Sequence, residues 1–132
     1  MTLGADDQLA IQQVILGYCH AVDGGDGDAV AALFEDDASL GVGLPDPIVG
    51  KEAIRQLGGS VASMVPGVRH VTTNILVDGD GDTASARSYV RVFTTVGGPD
   101  ATKLVASGVY TDTLRKDGGT WRIASRDMVN DG

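Results

Sequence analysis

Apolar residues recur at helical spacing in the first half of the chain and at every second position in the second half. The first apolar stripe, which falls on one face of a helix, consists of Ile11, Val14, Ile15, Tyr18 and Val22. The side chain of Asp6 or Asp7 is predicted to cap the start of this helix by accepting a backbone N–H bond. The pair Gly24-Gly25 is predicted to end it, because glycine adopts left-handed dihedral angles at little cost.

Two further helices and a pair of strands are predicted in the middle of the chain. The second helix starts with Asp26 as its N-cap and extends through Phe34, before two aspartates interrupt its pattern. Alternation over residues 38–44 predicts a strand, which turns at a Pro-Asp-Pro sequence into a short strand at residues 48–49. The third helix covers residues 50–64 and is closed by a Pro-Gly pair. Its apolar stripe consists of Ile54, Leu57, Val61 and Met64.

The rest of the chain has the two-residue period of half-buried strands. Strands are predicted near residues 68–78, 82–96, 101–115 and 120–130, joined by short Gly- and Asp-rich hairpin connections. A sheet of this kind must bury one face, and the three helices are the available cover. We therefore predict a single α+β domain over residues 1–132, in which a cone-shaped, curved antiparallel sheet wraps around three N-terminal helices and leaves a cavity at one end.

Composition and charge narrow the range of partners. The 132 residues carry a formal net charge of −8 and only ten basic side chains, which disfavours nucleic acid and anionic membrane surfaces. The single cysteine, Cys19, excludes an internal disulfide and a cysteine-rich zinc site. Without a signal-like or membrane-spanning apolar run, we expect a cytoplasmic protein. Aromatic residues make up 5% of the chain, so the walls of any cavity should be mainly aliphatic.

Polar residues on the predicted inner surfaces supply the candidate chemistry. Tyr18 lies within the first apolar stripe, and Asp23 follows where that helix ends. In the first long strand, a period of two places His70, Thr72 and Asn74 on one face. Each of these residues alone is typical of a core tyrosine, a capping aspartate or a structural histidine. If they meet in a cavity, they must bond to each other or to a ligand.

An aspartate paired with a histidine would make a base. A carboxylate bonded to one imidazole nitrogen fixes the tautomer and raises the basicity of the other nitrogen. The hydroxyl of Tyr18 or Tyr89 is then a candidate donor to an oxygen that gains charge. We expect no cofactor and no metal, because one candidate histidine with scattered aspartates does not make a metal site. The aspartate-rich segment 78–82 lacks the length and closing glutamate of a calcium loop and is typical of a turn.

Several segments together resemble the SnoaL-like proteins of the nuclear-transport-factor-2 superfamily, along nearly the whole chain. The matching segments are Tyr18-Cys19-His20-Ala21-Val22-Asp23-Gly24-Gly25-Asp26, Ala32-Leu33-Phe34, Asp37-Ala38, Gly50-Lys51-Glu52-Ala53-Ile54, Arg69-His70 with Asn74, Gly108-Val109-Tyr110 and Trp121-Arg122-Ile123. The resemblance implies an NTF2-like, cystatin-like α+β barrel. It also implies a homodimer, because sheets of this class commonly pair.

The same resemblance implies roles for individual residues. Asp23 and His70 match the catalytic Asp–His pair of scytalone dehydratase and bile-acid 7α-dehydratase. Tyr18 and Arg126 match a tyrosine and an arginine that line the pocket of the latter. The second catalytic histidine of scytalone dehydratase has no counterpart. The corresponding stretch, residues 88–92, offers instead two candidate substrate-binding residues, Tyr89 and Arg91.

Further substrate-binding candidates lie on the strands. Asn74 follows His70 on the first long strand, and Tyr110 and Asp112 share a face of the third. Asp112 is also predicted to form an ion pair with Arg122 or Arg126 across the last hairpin.

These residues predict a cofactor-independent lyase or isomerase that acts on a hydrophobic cyclic small molecule, such as a polyketide or a steroid-like compound. Dehydration, double-bond migration and ring closure share the step of proton abstraction and return. Two other functions stay open: a non-catalytic ligand-binding module, and an interaction protein that docks through its sheet. An epoxide-opening hydrolase ranks lower, since it needs an Asp–Arg–Asp set that only Arg91 or Arg126 with Asp112 can begin to supply.

Overall fold

The computed structural model describes residues 2–132, with three α-helices packed on one face of a curved sheet. The helices are α1 (Ala5–Asp23), α2 (Gly27–Ala31) and α3 (Lys51–Met64), and a short 3-10 helix covers Pro99–Ala101. The strands are β1 (Phe34–Leu40), β2 (Ile48–Val49), β3 (Val68–Asp80), β4 (Thr83–Thr94), β5 (Lys103–Asp117) and β6 (Thr120–Asn130). The predicted α+β class and the three helices are confirmed.

The six strands form one sheet in the order β2-β1-β6-β5-β4-β3. Strands β3 to β6 make the predicted antiparallel meander, and β1 pairs antiparallel with β2. However, β1 lies parallel to β6, so the sheet is mixed and not wholly antiparallel. Alternation along a strand does not report the direction of its neighbour, which is why the sequence did not predict this pairing. Among residues 2–132, β2 and β3 do not pair, and the predicted barrel is therefore open.

The start of α1 differs from the predicted capping. Its N-cap is Gly4, which makes no side-chain cap bond, so the predicted cap at Asp6 or Asp7 is wrong. The carboxylate of Asp7 instead accepts hydrogen bonds from Trp121 Nε1 at 2.9 Å and Lys116 Nζ at 3.0 Å. Asp7 thereby ties the first turn of α1 to the β5–β6 hairpin. Trp121 and Lys116 thus bind the Asp7 carboxylate in place of the backbone N–H groups of the helix that it was predicted to cap.

The second helix is shorter than predicted and the following strand starts earlier. Asp26 caps α2 as predicted, with its side chain accepting a bond from the backbone N–H of Ala29 at 3.0 Å. The helix ends at Ala31, and Phe34, predicted to be helical, is the first residue of β1, where it pairs with Ile123. The predicted strand at 38–44 therefore lies at 34–40. A buried phenylalanine fits a helical stripe and a buried strand equally well, and the tertiary contact with β6 decides between them.

The inner face of the sheet packs against α1. The stripe residues Ile11, Ile15 and Val22 are at most 1% exposed, and β4 alternates strictly between buried and exposed positions. The pairing of β3 with β4 shifts register between Thr73 and Leu76, where a bulge interrupts the two-residue period. Within residues 2–132, no helix combines the length and the apolar composition needed to cross a membrane.

Candidate functional site

Asp23 and His70 form a hydrogen-bonded dyad where the end of α1 meets the start of β3. Imidazole Nδ1 of His70 lies 2.7 Å from Oδ1 of Asp23. The backbone N–H of His70 also donates to both carboxylate oxygens, at 3.1 and 3.0 Å. The side chains are only 9% and 13% exposed for His70 and Asp23 respectively. A carboxylate on Nδ1 favours a proton on that nitrogen and leaves Nε2 with a free lone pair.

The imidazole of His70 separates two hollows. On the inner side lies a cavity of about 460 Å³ between the helices and the sheet, and the His70 side chain forms part of its wall. On the outer side lies an open surface depression, which is lined by both Asp23 and His70. Asp23 therefore stands behind the imidazole and does not itself line the cavity. Nε2 of His70 has no hydrogen-bond partner among residues 2–132.

The cavity wall is predominantly aliphatic, as the composition predicts. Its lining consists of Tyr18, Val22, Leu40, Val42, Leu44, Leu57, Gly58, Val61, Met64, Val65, His70, Val92, Val105, Ala106, Tyr110, Met128 and Asn130. Among the described residues, no lysine, arginine or carboxylate lines it. The volume lies within the range of small-molecule pockets, and the few polar groups suit a ligand that is mostly hydrocarbon. Leu44 and Met64, which are 63% and 62% exposed, place apolar surface at the open end.

Two tyrosines face the cavity beside the dyad. The Tyr18 ring lies edge-on to the His70 imidazole and to the Tyr110 ring, with 6.2 Å between centroids in each case. Both tyrosines are buried, at 5% and 3% exposure. Burial raises the pKa of the Tyr18 hydroxyl and that of the Tyr110 hydroxyl, so both phenols are protonated at neutral pH. Each is available as a hydrogen-bond donor to a ligand oxygen.

Asp112 and Arg126 form a buried ion pair behind the tyrosines. Arg126 Nε and Nη2 donate to the two carboxylate oxygens of Asp112 at 2.8 and 2.9 Å, and neither side chain is exposed. Of the two predicted partners of Asp112, the structure thus selects Arg126 over Arg122. Burial acts to lower the pKa of Arg126, but the Asp112 carboxylate outweighs it and holds that pKa above its ordinary value. The third guanidinium nitrogen, Nη1, has no hydrogen-bond partner among residues 2–132.

The guanidinium of Arg126 lies against both tyrosine rings, which are nearly perpendicular to each other, with 83° between their planes. Its carbon Cζ lies 4.5 Å from the centroid of the Tyr18 ring and 3.8 Å from that of the Tyr110 ring. Both distances are within the range of cation–π attraction. Arg126 therefore touches the rings that line the cavity but does not line it, and neither does Asp112.

Three predicted substrate-binding residues lie away from the cavity. Asn74 is exposed at the β3 bulge, with a φ of 55° and its side chain bonded to the Thr73 hydroxyl, because the bulge removes it from the face that carries His70. Tyr89 and Arg91 occupy the positions of β4 that point to the outer face of the sheet, where Tyr89 is 46% exposed. The two-residue period places both opposite to the buried positions Ser88, Val90 and Val92.

Other lining residues were not singled out from the sequence. Asn130 lies near the end of β6 and brings an amide to the cavity, close to the backbone of Gly43. Met128 lies two residues before it on the same face, and that spacing was the available signal. Thr72, predicted to face inward beside His70, is buried with its hydroxyl 3.2 Å from Cys19 Sγ.

Comparisons with known proteins give a family match over most of the chain. A model of the SnoaL-like domain matches residues 4–127. No curated protein sequence matches the chain at a significant level.

Solved structures with the same architecture include a protein of unknown function and two proteins named for candidate activities. A Mycobacterium tuberculosis protein of unknown function is 33% identical, with a TM-score of 0.87 over 97% of this chain and 78% of that one. A candidate aromatic ring hydroxylase from Novosphingobium aromaticivorans is 35% identical, with a TM-score of 0.81 over 97% of this chain and 91% of that one. A candidate scytalone dehydratase from the same bacterium is similar in fold, with 22% identity and a TM-score of 0.83 over 96% and 85% of the chains.

Proposed function

The chain belongs to the SnoaL-like domain family, and from this premise we propose that it is a cofactor-independent lyase or isomerase acting on a hydrophobic cyclic small molecule. The observation that carries the proposal is the orientation of His70, whose Nδ1 is held by Asp23 and whose imidazole forms part of the cavity wall. A base with one nitrogen fixed and the other free is what proton abstraction requires. The aliphatic lining favours a substrate that is mostly hydrocarbon.

The first step is removal of a proton that a neighbouring carbonyl makes acidic. Nε2 of His70 takes the proton, and the C–H electron pair moves towards the carbonyl oxygen to give an enolate. Asp23 stabilises the imidazolium that results, because its carboxylate lies 2.7 Å from Nδ1. The cavity wall carries no other charged side chains among the described residues, so this electrostatic stabilisation is stronger than in water.

The tyrosines provide the matching stabilisation of the oxygen. Tyr18 and Tyr110 are protonated phenols at one end of the cavity, and a hydrogen bond from either would stabilise the enolate oxygen as its charge grows. The imidazolium then returns the proton, either to a different carbon, which moves the double bond, or to a departing hydroxyl, which completes a dehydration. Addition of the enolate carbon to a second carbonyl closes a ring from the same intermediate.

Hydrogen exchange into a simple cyclic ketone tests the proton abstraction without knowledge of the natural substrate. In heavy water, the chain is expected to exchange the acidic C–H groups of 2-tetralone roughly a hundredfold faster than its His70→Gln variant does. His20→Gln is the matched control, since His20 is exposed and lies on the outer side of the dyad. Equal exchange rates for the wild type and His70→Gln would contradict the proposed enzyme. Binding of 2-tetralone without exchange would favour the ligand-binding module.

We also propose that the chain forms a homodimer through the outer face of its sheet. This face carries exposed apolar side chains on β3, β4 and β6, among them Val71, Leu76, Tyr89 and Val129. Apolar clusters of this kind are typical of protein interfaces. Sedimentation analysis is expected to give twice the chain mass for the wild type and a monomer for Tyr89→Lys. A monomeric wild type at micromolar concentration would contradict the dimer.

A further inference from the structure

We propose that Asp112 and Arg126 are positioning residues that set the hydrogen-bond strength of the Tyr18 hydroxyl, without contacting the substrate themselves. This inference rests on the proposed function in one respect, namely that Tyr18 donates to the substrate oxygen. The pair itself is defined by its contacts in the fold, and its effect on Tyr18 is measurable with no substrate present.

Arg126 is buried and does not form part of the cavity wall. The side chain is fully buried and two of its nitrogens are committed to Asp112. What separates it from the cavity is the pair of tyrosine rings, against which its guanidinium lies at 4.5 and 3.8 Å. The contacts of Arg126 that lead towards the cavity are therefore those with Tyr18 and Tyr110.

The pair carries two charges with opposite effects on Tyr18. Burial raises the pKa of the Tyr18 hydroxyl most, the positive charge of Arg126 opposes it, and the negative charge of Asp112 adds to it. Arg126 contacts the Tyr18 ring, and Asp112 binds Arg126 through its Nε and Nη2 atoms. A phenol beside a cation is more acidic and donates a stronger hydrogen bond to an oxygen that gains charge. The balance between the two charges thus sets how well Tyr18 stabilises an enolate.

The arrangement also holds the rings in place. A guanidinium in contact with two aromatic rings and anchored by two bonds to one carboxylate has little freedom to rotate. Both rings contribute to the cavity wall at the end where the His70 imidazole lies edge-on to Tyr18. The pair is therefore placed to fix the distance between the base and the oxygen donor.

Two variants with expected midpoint shifts in opposite directions separate this role from a merely structural one. A tetrafluorotyrosine, whose phenol titrates in an accessible range, is placed at position 18, and its titration is followed by fluorine NMR. Asp112→Asn leaves Arg126 without its counter-charge and is expected to lower the titration midpoint by about one pH unit. The double change Asp112→Asn with Arg126→Met removes both charges and, since Arg126 is the charge that touches Tyr18, is expected to raise the midpoint.

A second labelled position in the same chain serves as the control for this experiment. Tetrafluorotyrosine at position 89 lies on the exposed outer face and is expected to keep its midpoint in every variant. A shift of position 18 in the same direction for both variants, or no shift, would overturn the proposal. If the double variant is unfolded by circular dichroism, the near-isosteric Asp112→Asn decides alone, and an unmoved or raised midpoint refutes it. These outcomes are independent of the 2-tetralone experiment. A failure of hydrogen exchange there would contradict the role of His70 as the base, and it would not bear on the effect of Asp112 and Arg126 on Tyr18.

Discussion

The carboxylate of Asp23 accepts hydrogen bonds from both the backbone N–H and the imidazole Nδ1 of His70. One side chain at the end of α1 thereby fixes the first residues of β3 and the tautomer of the candidate base. The backbone bonds distinguish this dyad from a chance surface pair, because they hold the carboxylate in place independently of the imidazole bond.

The tautomer of His70 is expected to reverse in Asp23→Asn. The asparagine oxygen can still accept the backbone bond, but its amide then donates to Nδ1 and moves the imidazole proton to Nε2. Long-range nitrogen–proton correlation NMR distinguishes the two tautomers directly. The exposed His20 is the internal control and is expected to keep its pattern. An Nδ1-protonated His70 in the variant would show that Asp23 does not determine the tautomer.

Neighbouring glycines of α3 are expected to respond to alanine with opposite signs. A Cβ on Gly58 would lie 2.7–2.9 Å from three side-chain carbons of Val30, so Gly58→Ala should destabilise the fold by about 1–3 kcal/mol. A Cβ on Gly59 would meet its nearest atoms, in Gly27, at 3.5 Å, so Gly59→Ala should stabilise it by roughly 0.5–1 kcal/mol. Urea unfolding measures both, and equal signs would contradict the close approach of α2 to α3.

Removal of one partner of the buried ion pair is expected to cost more than removal of both. Arg126→Met leaves the Asp112 carboxylate buried without a counter-charge and should lower the free energy of unfolding by about 3–5 kcal/mol. Adding Asp112→Asn to that variant should recover most of the loss, because a neutral pair has little desolvation cost. Chemical unfolding of the single and double variants gives the comparison. A double variant less stable than Arg126→Met would contradict this account.

The stability contributed by Asp7 is expected to disappear in acid. Hydrogen bonds from Trp121 and Lys116 lower the pKa of the Asp7 carboxyl in the folded chain. A depressed folded pKa contributes stability above the unfolded pKa, near 4 for aspartate, and that stability is lost as the pH falls through the lower folded value. The difference in unfolding free energy between the wild type and Asp7→Asn should therefore shrink towards zero in this window.

The neighbouring variant Asp6→Asn serves as the comparison for Asp7, since Asp6 is an exposed aspartate in the same helical turn. Its difference from the wild type is expected to show no comparable fall with pH. Trp121 fluorescence offers a second readout, because its indole N–H bonds to the Asp7 carboxylate.

The elements with a strong local signal could be predicted from the sequence. The stripe of α1, the hairpin connections of the last four strands and the N-cap at Asp26 all follow from periodicity and turn chemistry. The meeting of Asp23 with His70 was predicted from the family resemblance, since nothing in their spacing of 47 residues brings them together.

What the sequence could not provide depends on contacts between distant segments. The bulge after Thr73 turns Asn74 outward. Asparagine tolerates the left-handed backbone at this position, but its presence alone does not predict a bulge. Asp7 looks like a helix cap until the β5–β6 hairpin supplies two better partners. Tyr89 and Arg91 were chosen by correspondence with a missing histidine, whereas the alternation of β4 alone would have placed them on the outer face.

The central place of β6 in the sheet has a consequence for biosynthesis. Strand β6 is the last strand along the described chain, yet it lies between β1 and β5 and brings Met128 and Asn130 to the cavity. Nascent chains emerge from the ribosome with the N-terminus first, so α1 and β1 are synthesised before β6, the strand against which both of them pack. Their apolar surfaces stay exposed until β6 has emerged. The cavity wall can therefore be completed only after Asn130 has been synthesised.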